Sequence, residues 1–214
     1  MKKYLHFFYG KTSYSQEGED LILKQIFKNK KKGFYCDLGC HHPVRFNNTF
    51  LLYKKGWNGL NVDASKSSIR FFNAFRKRDT NVHALISFEK NPTTKKYAIF
   101  NEGAVNGILS KKRINMLISK GYDLKRINEI QTYNVNSLFN SYLKKGEIFD
   151  FLKIDIEGLD FKVLKVIDFK KYLPGVIMIE KIENETEITQ FLKGKGYTVI
   201  AMTPRNVIFI HNMY

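Results

Sequence analysis

Asp37 and Asp63 each stand at or next to the end of a short apolar run, Phe34-Tyr35-Cys36-Asp37-Leu38 and Gly59-Leu60-Asn61-Val62-Asp63. Gly39, directly after the first run, permits a backbone course that other residues resist. Asp63 follows that glycine by 24 positions (63 minus 39), close to the roughly 20 residues at which a strand-end acid reaches ribose hydroxyls in nucleotide-binding α/β sheets. These residues predict a nucleoside crevice at the carboxyl ends of two neighbouring strands. Asp155 and Glu157 follow a third apolar run, Phe151–Ile154. At i and i+2 of an extended end they point the same way, and like charges so close raise one carboxyl's proton affinity or call for a cation between them. His41 and His42 follow Gly39 and could carry protons, bind metal or serve only as loop residues. Side chains of adjacent residues rarely reach one atom, so at most one faces the site. Each acid also has a purely structural use as a helix cap.

The elements that must position these residues alternate between strand and helix. Phe34–Leu38, a helix after Asn48 or Thr49, and a strand ending at Asp63 form a unit long enough for a right-handed parallel crossover. A helix is expected after Ser13–Asp20, with acids in its first turn. Another starts at Ser65 and turns Ile69, Phe72 and Phe75 to one side. Residues 81–87 are expected as one buried strand, 97–100 as a short one, 101–107 as a turn and 114–119 as helix; 133–138 reads as a strand running into a helix over 138–143. A helix opened by Glu157-Gly158 carries Phe161, Leu164 and Ile167 inward. A strand over 175–179 ends at Glu180, and a helix covers 185–192. The last two strands, 196–202 and 206–211, are separated by three residues, too few for a helical crossover, so they form an antiparallel hairpin. The whole predicts one α/β domain over 1–214: a mostly parallel sheet with a terminal antiparallel hairpin, helices on both faces, and an N-terminal helical segment over 1–32. The irregular stretch 96–138 is the expected place for acceptor recognition.

With 43% hydrophobic residues among 214, the chain can bury a full α/β core. The formal charge of +16 comes mostly from lysines spread along the chain, and no basic block is interleaved with aromatics as single-stranded nucleic acid requires. A small-molecule or glycan acceptor is the expected partner, with no specific nucleic acid, and an anionic acceptor would be drawn to this surface. Cys36 and Cys40 are expected as packed thiols. No run reaches the roughly 18 apolar residues of a membrane span, and Leu5–Tyr9 is too short for a secretory h-region, so a cytoplasmic protein is expected. Oligomeric state leaves no trace in the sequence.

The segments SYSQEGEDLIL, FYCDLGCHHP, NNTFLLYKKGWNGLNVDA, ALIS and DFLKIDIEGLDFKVL resemble, in this order, the FkbM family of AdoMet-dependent methyltransferases, from Ser13 to about Glu180. The resemblance implies the class I (Rossmann-like) methyltransferase fold with a seven-stranded sheet. It also implies S-adenosyl-L-methionine as cofactor and O-methylation of a hydroxyl, most often on a sugar in bacterial surface-glycan or related metabolism. On that footing Asp37, Gly39 and His41 line the methionine and ribose side, Asp63 takes the ribose hydroxyls with Ser65 beside it, and Leu85 to Ser87 edge the adenine. Asp155 and Glu157 face the methyl group and acceptor. Where the methyltransferase loop usually has further glycines, this chain has His41 and Pro43; Gln16 and Glu19 are the alternatives for holding the methionine end. Asp155, Glu157 or His42 could be the base, or a divalent ion on the carboxylates could acidify the hydroxyl; the metal-free route is the expectation. Two other functions remain: a nucleic-acid methyltransferase, although Asp155-Ile156-Glu157-Gly158 replaces the Asn/Asp-Pro-Pro-aromatic element of amino-group methylation, and a non-catalytic methyltransferase-like partner in a glycan assembly complex.

Overall fold

The strand Phe34–Leu38 (β1) is buried at all five positions, because parallel neighbours flank it on both sides: Asn58–Asp63 (β2) and Phe151–Ile154 (β7). The computed structural model describes residues 12–143, 149–156, 158–181 and 185–214. Outward from β2 lies Thr80–His83 (β3), and outward from β7 lie Val176–Glu180 (β8), then Asn206–His211 (β10) and Tyr197–Met202 (β9). The sheet order is β3-β2-β1-β7-β8-β10-β9. β8 joins in parallel, while β10 is antiparallel to both β8 and β9. Counted within this sheet alone the order is 3-2-1-4-5-7-6, the mostly parallel sheet with a terminal hairpin that the sequence predicts. The chain leaves β1 toward β2 on one side and reaches β7 on the other, so a crevice opens at the carboxyl ends of β1 and β7.

Strand alternation assigns the two faces. Tyr35 and Phe151 point into a layer with Leu23 of helix Glu19–Ile26 (α1), Phe27 at its C-cap and Leu52 of Phe50–Lys54 (α2), together with Trp57. Cys36, Leu38, Leu152 and Ile154 point the other way, onto helices Val135–Tyr142 (α5), Asp160–Val166 (α6) and Glu185–Lys193 (α7). Both cysteines are free and buried, packed as expected; burial pushes both thiols well up. No helix among the described residues is long and apolar enough to cross a membrane.

Asp37 faces the same way as Tyr35 but meets polar neighbours. Lys153, its register partner on β7, brings its ammonium to 3.3 Å, and the Thr49 hydroxyl approaches at 3.4 Å. Arg76, fully buried, donates to Thr49 and pairs with Asp79 at 3.2 Å. Asp79 in turn accepts from the Tyr35 hydroxyl, the Asn61 amide and Gly59 N. Buried charges persist only when paired and hydrogen-bonded in this way.

Several boundaries differ from expectation. Residues 81–87 are two strands rather than one: Ala84 N donates to Asp63 O, and beyond it Leu85–Ser87 (β4) leaves the main sheet to pair with Leu124–Asn134 (β6). The strand expected to reach Leu138 ends at Asn134, whose side chain accepts from Asn136 N and Ser137 N and starts α5 at Val135. Antiparallel β6 and Thr94–Phe100 (β5) frame a 3₁₀ turn at Gly103–Val105 and the helix Lys111–Ser119 (α4). The insertion therefore has its own three-stranded sheet and a small core of Ala98, Phe100 and Leu117. The N-cap of α1 is Gly18 at φ 84°, with no side-chain cap; Asp20 holds the preceding loop by accepting from Ser13, Tyr14 N and Ser15. Helix Lys66–Phe75 (α3) begins after Ser65 as expected, with Ile69 and Phe72 buried against Cys40, but Phe75 is 61% exposed. In α6, which begins only at Asp160, Val163 and Leu164 are innermost and Phe161 is only half-buried.

Candidate active site

A cleft opens where the carboxyl ends of β1, β2, β7 and β8 meet the insertion. Its wall includes Gly39, His41, Asp63, Leu85, Lys153, Asp155 and Glu180 from the main sheet and its loops, Gln16 from the segment before α1, and Tyr97, Gly103, Asn106, Gly107 and Ile108 from the insertion.

Gly39 sits at φ 82°, and a Cβ there would lie 1.7 Å from the carbonyl oxygen of Asp155. The glycine is therefore required by the contact between the β1 and β7 ends, which draws the first loop over Asp155. His41 follows in a left-handed conformation, φ 56°. Its backbone N–H donates to Asp63 Oδ2 at 2.8 Å, while Ser65 N donates to Oδ1 at 2.7 Å. Burial raises the Asp63 proton affinity, and these two donors oppose the rise. The His41 Nε2 is buried, lies in the cleft wall and has no hydrogen-bond partner among the described residues. Burial, reinforced by Lys153 and Arg45, lowers the pKa of this ring, so it is neutral near pH 7.

His42 faces elsewhere. Its Nδ1 accepts from Val44 N at 3.1 Å and Arg45 N at 2.9 Å, its ring lies 6.0 Å from that of Phe71, and it forms no part of the cleft wall. Of the pair only His41 lies in the cleft wall; His42 is not placed to act as a base. Glu19 also differs from expectation. It is fully buried, accepts from Asn206 at 2.7 Å and Thr203 at 3.3 Å, and so ties α1 to the β9–β10 hairpin without itself forming part of the cleft wall. Ser87 accepts from Glu89 N and does not reach the cleft, whereas Leu85 does. Ser65 caps α3, accepting from Ser68 N, and faces a neighbouring groove. Asp37 lies beneath the cleft floor as the partner of Lys153. Glu157 is outside the described residues.

Two cleft residues carry chemistry that their sequence positions did not announce. Lys153, almost fully buried, lies 3.2 Å from Asp155 and donates to Gly39 O at 2.9 Å. Burial disfavours its charge, but Asp155 and Asp37 outweigh burial and hold its pKa above that of an ordinary lysine. Glu180, at the end of β8, has its carboxyl pushed up to about 7, first by burial and then by the negative charges of Asp155 and Asp160. Asp160 itself accepts from Ile156 N and Gly158 N, which fixes the turn after β7. An acid titrating near neutrality at a cleft is suited to general acid–base work. Among the described residues no three metal-ligating side chains converge.

The residues present suit a nucleoside cofactor. Asp63 offers a carboxylate at the end of β2, Val62, Leu85 and Ile86 supply an apolar wall, and His41 Nε2 is a buried polar atom without a protein partner.

The chain resembles two solved proteins over nearly their whole length. A Clostridium thermocellum protein assigned as an rRNA methylase is 12% identical with a TM-score of 0.47, covering 94% of this chain and 97% of that one. A Sulfolobus solfataricus protein assigned as a type 11 methyltransferase is 11% identical with a TM-score of 0.43, covering 93% and 94%. Likeness at this level does not bear on substrate. No curated protein matches. The methyltransferase FkbM domain model matches residues 37–199, a span that runs from β1 into β9 and contains Asp63, Lys153, Asp155 and Glu180. The chain belongs to the FkbM family of AdoMet-dependent methyltransferases.

Proposed function

We propose that the protein methylates a hydroxyl oxygen of a sugar, in a surface glycan or a related metabolite, with Glu180 as general base. The observation that carries this is the Glu180 carboxyl, held near pKa 7 beside Asp155 in the cleft. A sugar hydroxyl is a weak nucleophile and its proton must leave as the new bond forms. A carboxylate with raised proton affinity takes such a proton far better than an ordinary glutamate.

When bound, AdoMet supplies a methyl group on a positively charged sulfur. Asp63 would accept from the ribose hydroxyls, Leu85 and Ile86 would pack against the base, and His41 Nε2 and Gln16 would meet the remaining polar atoms. Asp155, anchored by Lys153, presents negative potential where the acceptor hydroxyl and the sulfonium must meet. Lys153 also fixes the Gly39 carbonyl, so the first loop and the β7 end are held as one unit. Alignment and electrostatics of this kind are the main contributions a protein makes to an in-line displacement. The insertion, residues 94–134, forms the outer wall and would contact the acceptor.

The test is the product. Incubation with AdoMet carrying a labelled methyl group and a panel of sugar, small-molecule and RNA acceptors is expected to yield a methyl ether on a sugar, identified by mass spectrometry. Label on a nucleobase nitrogen would overturn the proposal.

A further inference from the structure

Past Tyr97 and Asn106 the cleft opens into a wider groove between α3 and the β5–β6 sheet; the two share Ala64, Ser68 and Gly103 as well. On the helix wall Lys66 and Arg70 lie one turn apart, so both point the same way. On the sheet wall Arg126 is paired with Ile99 and Asn128 with Tyr97; directly opposed residues of an antiparallel pair share a face, which makes Ile99, Tyr97, Arg126 and Asn128 one surface. Lys66, Arg70 and Arg126 are exposed and have no ion-pair partner among the described residues. Glu129 is the one carboxylate among the described residues of the groove wall. Three unpaired cations facing each other across a groove concentrate anions there, and two of them are arginines, whose planar forks match carboxylate and phosphate.

Resting on the sugar O-methyltransferase reading above, we propose that this groove is the acceptor's anion subsite. The acceptor is a sugar bearing a phosphate or a carboxylate, seated with its charge against Lys66, Arg70 and Arg126 and its hydroxyl reaching past Tyr97 to Glu180. Single-stranded nucleic acid fits less well, because it stacks successive bases on exposed rings, and the aromatic residues of the groove, Tyr97 and Phe100, are 8% and 4% exposed.

The test is calorimetric titration at low ionic strength of protein saturated with S-adenosylhomocysteine. The probes are glucose 1-phosphate, glucuronic acid, uncharged methyl glucoside and a short single-stranded RNA. The wild type is expected to bind one of the two charged sugars at least about tenfold more tightly than methyl glucoside, and which one identifies the charged group. Arg70→Gln with Arg126→Gln removes that preference, about tenfold or more for the lost charge-assisted hydrogen bonds, and 1 M salt weakens it in the wild type. Affinity for S-adenosylhomocysteine stays the same in the double variant. Equal binding of charged and neutral sugars, a preference that survives the double substitution, or RNA binding tighter than either sugar and lost with the arginines would each overturn the proposal. A wild type that fails to bind S-adenosylhomocysteine would instead count against the cofactor cleft, with the groove still judged on the sugar titrations.

Discussion

Glu180→Gln is expected to lower kcat by about 10²–10⁴, the usual contribution of a positioned general base, while leaving S-adenosylhomocysteine affinity unchanged. In the wild type, kcat should rise with pH through an ionisation near 7, the value at which burial, Asp155 and Asp160 hold this carboxyl. The variant has no such limb. Stability provides a second readout with the opposite sign. The folded protein binds the Glu180 proton more tightly than the unfolded chain, whose glutamates titrate near 4.5. Stability attributable to this group therefore falls as pH rises from about 4.5 to about 7 and stays low above that. Glu180→Gln should melt at a higher temperature than wild type at pH 8 and show no such gain at pH 4. A glutamate serving only the fold would give lower stability on substitution and an unchanged pH profile. Losing activity while gaining stability is the signature of a site held in a costly state for its chemistry.

Lys153→Met is expected to cost about 3–5 kcal/mol of stability, the usual result of removing one partner of a buried ion pair. Asp37, fully buried, would be left with the Thr49 hydroxyl at 3.4 Å and no cation. At about 2–4 °C per kcal/mol for a chain of this size, the melting temperature should drop by roughly 6–20 °C, measured by calorimetry near pH 7. The ion pair is at full strength there, since the lysine's pKa is held above its ordinary value and its charge is lost only in strong base. Adding Asp37→Asn to Lys153→Met removes the uncompensated charge and should recover part of the loss. Additive losses in the double variant would mean the two residues do not act as a pair.

How far these residues were legible in the sequence follows from their surroundings. Asp63 and the β1–β2 unit could be placed because a buried parallel strand is a short continuous apolar run, and Gly39 marks its end abruptly. The main-sheet hairpin followed from a connection too short for a helix. Lys153 and Glu180 could not be recognised, since each is a single charged residue within or after an apolar strand. Their meaning comes from lateral register, which sets Lys153 beside Asp37, and from the meeting of the β7 and β8 ends in space. The resemblance gave His41 to the cofactor and left His42 among the candidate bases; the structure leaves only His41 in the cleft wall, at a positive φ angle, while His42 Nδ1 is taken up by backbone donors of its own loop. The β5–β6 insertion was legible only in part, for a different reason: the strand at 97–100, the turn at 101–107 and the helix at 114–119 are present with shifted bounds, but most of β6 was missed. β6, LKRINEIQTYN, is solvated along most of its length, with Ile127 48% exposed and Thr132 the one fully buried position, so it carries almost no apolar period. Exposure of that sheet also leaves Arg126 facing the groove.

We place the cofactor in the cleft beside Asp63. Calorimetric titration of S-adenosylhomocysteine into wild type and Asp63→Ala, with melting curves to verify that both are folded, tests it most directly. Saturable one-to-one binding by the wild type, weakened at least about tenfold by loss of hydrogen bonds to a charged acceptor, is the predicted result. No binding by folded wild-type protein, or equal affinity in the two proteins, would contradict the placement of the cofactor in this cleft.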